Sequence, residues 1–217
     1  MNKYLLSVDP SMKNTGFTLW EKNISKDWKK IQDNTPYEYW KPILIESYSF
    51  NKKSEVNSFI TNNFNDLIND FIFSMLTVKK NTFLQQSDID NILSKLTLII
   101  ERGIFNPKMG RGKETLDHLR GFIAGQFNKL LTKDMLISSS EWRKWYLNQE
   151  NIIDTLIYNE NENIGIANHP NNKWNKDLSI KIVNYLTIIN NWNIKISNHD
   201  EAESLLIGWY YLNKENK

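Results

Sequence analysis

The sequence contains no cysteine, which excludes disulfide bonds and any metal site built from thiolates. Any metal ion must therefore be held by oxygen or imidazole ligands. Long apolar runs are also missing: no stretch reaches the roughly 18 residues of a membrane-spanning helix, so no membrane partner is expected. The first predicted strand begins at Lys3, which leaves no room for a signal or transit peptide. These absences predict a soluble, cytoplasmic protein.

A strong excess of one charge is absent as well. The chain has 27 Lys and Arg against 25 Asp and Glu, a formal net charge of +2, so the total charge neither indicates nor excludes a nucleic-acid partner. Aromatic residues are plentiful, with 8 Trp, 9 Tyr and 10 Phe in 217 residues, enough to build a sizeable core. The abundance of Asn, Ile and Lys indicates an AT-rich coding sequence, as in a low-GC bacterium, a phage or a large virus.

The order of apolar patterns predicts a single α/β domain over residues 1–217. Short apolar runs bounded by turn residues indicate strands, and apolar residues at helical spacing indicate helices. There is no internal repeat and no linker, so we expect one mixed five-stranded sheet flanked by helices. Polar segments 22–41 and 148–173 are predicted loops or insertions. The predicted strands are 5–8, 17–20, 42–50, 96–101 and 135–138, and the predicted helices are 54–77, 114–131, a helix from about 140, 178–189 and 199–212.

Two predicted central strands end on a carboxylate. Asp9 follows the first apolar run, and Glu101 follows the run 96–100. Ligands of an open α/β sheet gather at the carboxyl ends of adjacent strands, which makes both acids candidates for a site. Asp is also a common turn former, however, and Asp9 could instead cap a hairpin whose turn contains Pro10 and Gly16. This stretch alone leaves both interpretations open.

A third group of acids lies at the predicted start of the last helix. Asp200 and Glu203 are three residues apart and share one helix face. A capping box of Asn198 and Glu201 explains acids at a helix start, but it does not explain Glu203, which precedes an apolar run. Clustered carboxylates repel one another and rise in pKa unless a divalent cation lies between them. Oxygen ligands favour Mg²⁺ or Mn²⁺ over zinc, and two such ions about 4 Å apart can hydrolyse a phosphodiester.

The stretches around these acids resemble the RuvC-type Holliday junction resolvases. LLSVDPSMKNTGF (5–17) is similar to their first strand and turn, IIE (99–101) followed by LRGFIAG (119–125) to their second acidic strand and its helix, and DEAESLL (200–206) to their last helix. The resemblance follows the whole chain in order. It implies an RNase H-like fold, a homodimer, and symmetric nicking of four-way DNA junctions with two Mg²⁺ ions, for which Mn²⁺ can substitute, and no nucleotide cofactor. The catalytic and metal-binding acids that it implies are Asp9, Glu101, Asp200 and Glu203.

Two positions depart from the family pattern. Ser11 stands where glycine is usual, and Glu203 stands where the final acid is usually aspartate. The longer glutamate side chain moves the second metal or requires a shifted helix, so the metal preference can differ. Segments 22–41 and 148–173 have no family counterpart that we can place.

Basic and aromatic residues near the acids are candidate DNA contacts, although each basic residue can also belong to a solvated face. Lys176 and Lys181 lie where the resemblance places lysines close to the scissile phosphate, and Lys176 is the candidate catalytic lysine. Phe105 follows Glu101, where resolvases stack an aromatic ring on an unpaired base, with core packing as the alternative. The candidate DNA-binding residues are Phe105, Lys108, Arg111, Lys113, Arg120, Arg143, Lys144 and Lys181.

The homodimer implied by the resemblance needs an apolar surface, and the predicted helix 114–131 carries more apolar residues than one face requires. We therefore expect it to form the interface, unless all of these residues pack onto the sheet. They are Leu116, Leu119, Phe122, Ile123 and Phe127.

Three other functions remain open at this stage. The first is an RNase H-like nuclease acting on flaps or RNA–DNA hybrids, and the second is a non-catalytic junction-binding module. The third is an ATPase, because the Asp-Pro-Ser…Thr-Gly hairpin also resembles the phosphate loop of actin and the sugar kinases. Those proteins need two lobes, and this chain has only 8 glycines and no second glycine-rich phosphate loop.

Overall fold

The fold is described from a computed structural model that covers residues 3–11, 14–24, 38–49, 90–91, 93–102, 110–149, 152 and 174–214. The predicted helix 54–77, most of segment 148–173, and residues 103–109, which include Phe105 and Lys108, lie outside these residues. Among the helices described, none is both long and apolar enough to span a membrane.

Five strands form one mixed sheet in the order β3-β2-β1-β4-β5. Strands β1 (Tyr4–Asp9), β2 (Asn14–Ile24) and β3 (Glu38–Ser49) form an antiparallel meander, and β4 (Leu96–Arg102) and β5 (Leu136–Ser138) continue the sheet in parallel with β1. Strand β1 is buried along its whole length, as expected for a central strand covered on both faces. The predicted mixed five-stranded sheet flanked by helices is confirmed.

The helices cover the two faces of this sheet, and the alternation of side chains along each strand decides what each helix contacts. They are α1 (Gly110–Gln126), α2 (Ser139–Leu147), α3 (Lys176–Ile189) and α4 (His199–Lys214). Leu6 and Val8 of β1 face the core formed with α1, whereas Leu5 faces the core formed with the other three helices. Successive strand residues point to opposite faces, so Asp9 lies on the same face as Leu5. This is the face that α4 covers.

Helix α4 lies along β2, and its contacts recur every four residues of the helix and every two residues of the strand. The backbone of Asp200 lies against Gly16, the Ser204 hydroxyl is 2.7 Å from that of Thr18, and Gly208 lies against Trp20. Four residues of helix and two residues of strand both advance by about 6 to 7 Å, which keeps every contact in phase. Added Cβ atoms at the two glycines would stand 2.0 Å from the Asp200 carbonyl oxygen and 2.2 Å from Trp20 Nε1. Close helix–strand approach therefore requires glycine at both positions.

The structure corrects several predicted boundaries. Strands β2 and β3 pair as far as Ile24 with Glu38, so both extend into the segment 22–41 that was expected to be a loop. Gly16, predicted to lie in a turn, is paired with Asp9 inside β2. Helix α1 begins and ends earlier than the predicted 114–131, and just after its end Asn128 adopts a left-handed conformation with φ of 53°.

The apolar residues of α1 pack onto the sheet rather than forming a surplus face. Leu119, Ile123 and Phe127 are buried in the core, and Leu116 and Phe122 are partly buried against the same cluster. This is the alternative considered for the predicted interface. The reason for assigning a dimer interface to this helix is thereby removed.

Candidate active site

Two carboxylates meet where the central strands end. Strands β1 and β4 are parallel and pair Val8 with Ile100, so the next residues along each strand, Asp9 and Glu101, lie side by side. Ile99 of β4 faces the same core as Leu5, which by alternation places Glu101 on the same face of the sheet as Asp9. Both acids are buried.

Helix α4 delivers two further acids to this face. Asp200 is in its first turn and Glu203 is one turn along the same side, and both are buried. The contact of the Asp200 backbone with Gly16 brings it to the residue that pairs with Asp9. The structure therefore brings together all four acids that the sequence singled out.

Glu201, by contrast, serves the helix start. The Asn198 side-chain oxygen accepts hydrogen bonds from the backbone N–H groups of Asp200 and Glu201, each 3.0 Å long. The Glu201 carboxylate accepts from the Ser197 backbone N–H at 2.7 Å and from the Ser47 hydroxyl at 2.9 Å. These donors compensate the charge of Glu201. The contacts therefore agree with the prediction that Glu201 caps the helix and is separate from the acids of the site.

Each site acid on the helix side has a neutral hydrogen-bond donor. The Trp174 indole N–H donates to Glu203 Oε1 at 2.8 Å, and the Asn14 amide donates to Asp200 Oδ2 at 2.6 Å. The Trp142 indole N–H donates to Glu101 Oε1 at 3.1 Å. Neither tryptophan is among the residues that the sequence marks as site residues. The sequence did contain a chemical indication of these contacts. A buried indole N–H group needs a hydrogen-bond acceptor, and the nearest strand end carries a carboxylate.

Arg143 of α2 contributes the positive charge of the site. Its Nη2 lies 2.9 Å from Glu203 Oε2 and 3.6 Å from Glu101 Oε1. The guanidinium is 4.9 Å from the ring centre of Trp142 and 5.9 Å from that of Trp174. Arg143 was predicted to contact DNA, and the structure instead directs it at two of the carboxylates.

The cluster raises the pKa of Asp9 well above its usual value. The largest cause is burial, because the carboxylate loses its hydration. Repulsion from Glu101, Glu203 and Asp200 and a hydrogen bond to Glu101 act in the same direction. A buried acid surrounded by three others is ionised only at a cost, unless a cation compensates its charge.

The donor chemistry of these residues fits a hard divalent cation. Four carboxylates supply only oxygen ligands, which Mg²⁺ and Mn²⁺ prefer, and the raised pKa of Asp9 shows that more positive charge would be favourable. As arranged, however, no three His, Asp or Glu side chains within the described ranges could hold a metal ion. Arg143 lies against two of the four acids.

The predicted DNA contacts fall into three groups. Lys144 on α2 and Lys176 and Lys181 on α3 are exposed. Phe105 and Lys108 lie outside the described residues. Arg111 and Lys113 belong to the first turn of α1, and their side chains are likewise outside what the structure describes.

Arg120 requires a correction. Only 4% of it is exposed, its Nε donates to the Glu101 carbonyl oxygen at 2.8 Å, and its Nη1 donates to Asp117 at 2.9 Å. The guanidinium joins α1 to the end of β4 and is not presented to a phosphate. Its role is to fix the strand that carries Glu101.

Two solved structures are similar to the chain at low identity. The first, "T. thermophilus RuvC in complex with Holliday junction substrate", is 6% identical with a TM-score of 0.43, over 97% of this chain and 96% of that one. The second, "Thermus thermophilus RuvC structure", is 8% identical with a TM-score of 0.43, over 98% and 96%. No protein-family model matches the sequence, and no curated protein matches it. With similarity this distant, the function has to be inferred from the residues of the site.

Proposed function

We propose that this protein is a metal-dependent endonuclease that resolves four-way DNA junctions by paired nicks. The observation that carries the proposal is the buried cluster of Asp9, Glu101, Asp200 and Glu203, in which burial first, and then the three neighbouring acids, raise the pKa of Asp9. Negative charge concentrated at the carboxyl ends of two central strands destabilises the fold. A function that requires bound divalent cations explains why these acids are present.

The four acids would hold two Mg²⁺ ions, or Mn²⁺ in their place. When bound, such ions activate a water molecule and stabilise the leaving oxygen of a phosphodiester. The chain itself orients the ligands: Asn14 and Trp174 donate hydrogen bonds that hold Asp200 and Glu203. These donors fix the orientation of the carboxylates before substrate arrives.

Exposed lysines near the site would act on the DNA. Lys176 begins α3 two residues after Trp174, whose indole contacts Glu203, so its ammonium group can approach a phosphate at the site. A cation there would stabilise charge that develops on the phosphoryl oxygens. Lys144, Lys181, Arg111, Lys113, Lys108 and Phe105 remain proposed contacts with the junction arms and centre.

Junction resolution also requires two active sites. Two opposed nicks suit a two-fold symmetric dimer on a substrate that has its own approximate two-fold axis. A homodimer is therefore part of the proposal, with an interface that is not the apolar face of α1.

The test is incubation of the protein with a synthetic mobile four-way junction, a flap and an RNA–DNA hybrid, with Mg²⁺ or Mn²⁺ and strand-resolved products. The proposal predicts paired nicks at symmetric positions of the junction and little cleavage of the other substrates. Preferred cleavage of the flap or hybrid would indicate the related nuclease activity, and random cutting of duplex DNA would contradict structure-specific cleavage.

A second candidate function, a non-catalytic junction-binding module, is favoured by one observation, the ion pairs of Arg143 with Glu203 and Glu101. In that case the arginine would balance the carboxylates permanently. Tight junction binding without Mn²⁺ binding or cleavage would support this candidate.

A further inference from the structure

The guanidinium of Arg143 lies inside the acidic cluster rather than on the DNA-facing surface. One nitrogen, Nη2, contacts both Glu203 Oε2 at 2.9 Å and Glu101 Oε1 at 3.6 Å. These two acids come from α4 and β4, so the arginine joins the two elements on either side of the site. A single positive charge thus lies between two acids that the proposed function assigns to metal binding.

The contacts of Arg143 with the acids are ion pairs, and its guanidinium does not make its full set of hydrogen bonds. Its Nε is buried and has no hydrogen-bond partner among the residues that the structure describes. Buried N–H groups are nearly always paired, so an unpaired one marks a position that the side chain occupies at a cost. About a quarter of the side chain, 26%, is nevertheless exposed, which leaves it an outward route.

An arginine and a divalent cation compete for these carboxylates. An ion held by Glu101 and Glu203 would take charge and lone pairs that now interact with Nη2. Two cations within a few ångströms repel strongly where water is excluded.

We infer that Arg143 is the built-in counter-ion of the metal-free site and gives up its contacts with Glu101 and Glu203 when a divalent cation binds. The inference rests on the proposed function for the identity of the cation. Arg143 is a regulating residue in this proposal, because it acts on the metal through Glu101 and Glu203. Metal loading therefore replaces one cation with another beside Glu101 and Glu203.

The test is a calorimetric titration of the full-length protein with Mn²⁺ in the absence of DNA. The variants are Arg143→Gln, which removes the charge but keeps a polar side chain, and Lys195→Gln as the control. Lys195 is exposed ahead of α4, and its replacement removes the same charge without touching the site. We expect Arg143→Gln to bind Mn²⁺ about tenfold more tightly than the wild type, because no ion pair has to be broken first. Lys195→Gln should match the wild type.

Thermal unfolding provides the second readout. Without metal, Arg143→Gln should melt below the wild type because Glu101 and Glu203 lose their counter-ion, and Mn²⁺ should raise its melting temperature by more than it raises that of the wild type. If Arg143→Gln does not fold, Arg143→Met is measured by the same criterion, since it also removes the positive charge and keeps a long unbranched side chain that packs as the arginine stem does.

Each outcome decides the matter. Equal or weaker Mn²⁺ binding by the Arg143 variant, with normal binding by the wild type, overturns the counter-ion role and leaves the proposed nuclease standing. Absence of Mn²⁺ binding in the wild type, the control and the Arg143 variant overturns both. Tight binding by the Arg143 variant alone supports the counter-ion role and shows that the wild-type site is blocked.

Discussion

At the scale of single residues, the buried acids differ in whether hydrogen-bond donors compensate their negative charge. One acid of the site lacks such compensation. Glu201 has hydrogen-bond donors from the helix start and from β3, whereas Asp9 is buried among acids that raise its pKa. The four site acids were predictable because strand ends and a three-residue helical spacing leave visible patterns. Trp174 and Asn14 were not, because their acceptors lie far away in sequence and only the fold pairs them.

Replacing Asp9 with Asn should abolish junction cleavage and leave junction binding unchanged or tighter. The amide keeps the shape of the side chain but removes one ligand charge, which weakens metal binding and also reduces repulsion of the phosphate backbone. Gel-shift titration and a cleavage assay on the same preparation measure both effects. Parallel loss of binding and cleavage would argue that Asp9 has a structural role instead.

Lys176→Ala should lower the cleavage rate by more than it lowers junction affinity. A lysine that stabilises developing negative charge acts mainly in the transition state, and such groups contribute on the order of a hundredfold or more in rate. Lys181→Ala, on the same helix, should reduce both quantities in similar proportion, as an ordinary phosphate contact does. If the two variants change the cleavage rate and the junction affinity in the same proportion, Lys176 has no special role.

At the scale of elements, α4 positions half of the site, and its position is set by glycine. Gly16 was predicted as a turn residue, because glycine is common in turns. It is needed instead for close approach, since its pairing with Asp9 and its contact with Asp200 set the distance between strand and helix. A single glycine in the sequence does not show whether it is needed for a turn or for the close approach of a helix to a strand. The extended ends of β2 and β3 were missed for a related reason, because their polar residues lack an apolar alternation.

Gly16→Ala should destabilise the protein and impair Mn²⁺ binding together. The new Cβ would stand 2.0 Å from a backbone oxygen, so the start of α4 has to move, and overpacking of this kind costs about 1 to 3 kcal/mol. Gly121→Ala in α1 is the matched control, because nothing lies within 4 Å of its added Cβ. The control should be unchanged or more stable by about 0.5 to 1 kcal/mol in thermal or denaturant unfolding. Normal stability of Gly16→Ala would show that α4 is not held at this distance.

A small surface cluster connects α2 to α4 and predicts a modest pH dependence. Lys214 and Tyr210 donate hydrogen bonds to Glu141, and these bonds, that of Lys214 first, lower the pKa of the carboxylate. An acid with a lowered pKa in the folded state adds stability above its ordinary pKa and loses it as the pH falls through the folded-state value. Because Glu141 is largely exposed, the contribution should be below about 1 kcal/mol.

Glu141→Gln should therefore melt slightly below the wild type at pH 7, by no more than about 4 °C, and the two should converge in acid. Calorimetric melting curves from pH 3 to pH 7 measure the difference. A gap that persists at the acidic end would show that the ionised form of Glu141 is not what stabilises this contact.

At the scale of the whole molecule, one mixed five-stranded sheet flanked by helices followed from the sequence pattern, because alternation and helical periodicity report burial directly. The placement of the apolar residues of α1 did not, since a count of apolar residues does not show how wide the covered face is. Phe122 and Leu116 pack at the edge of the core that Leu119 and Ile123 fill. This packing removes the surplus apolar face from which an interface between two copies was expected.

Light scattering at micromolar concentration should nevertheless give about twice the chain mass of 25.7 kDa, because paired nicking requires two sites held together. The same measurement with a metal-free four-way junction shows whether DNA promotes assembly. A single chain in both conditions would contradict paired nicking, although the acidic site would be unaffected.

The most direct test of the central claim is a crystal structure of the protein grown with Mn²⁺, with data collected at a wavelength where manganese scatters anomalously. The account predicts anomalous peaks among Asp9, Glu101, Asp200 and Glu203, with Arg143 moved away from Glu101 and Glu203. Saturating Mn²⁺ with no peak at these acids, or with peaks only elsewhere, would contradict the assignment of this cluster as the metal centre of a nuclease.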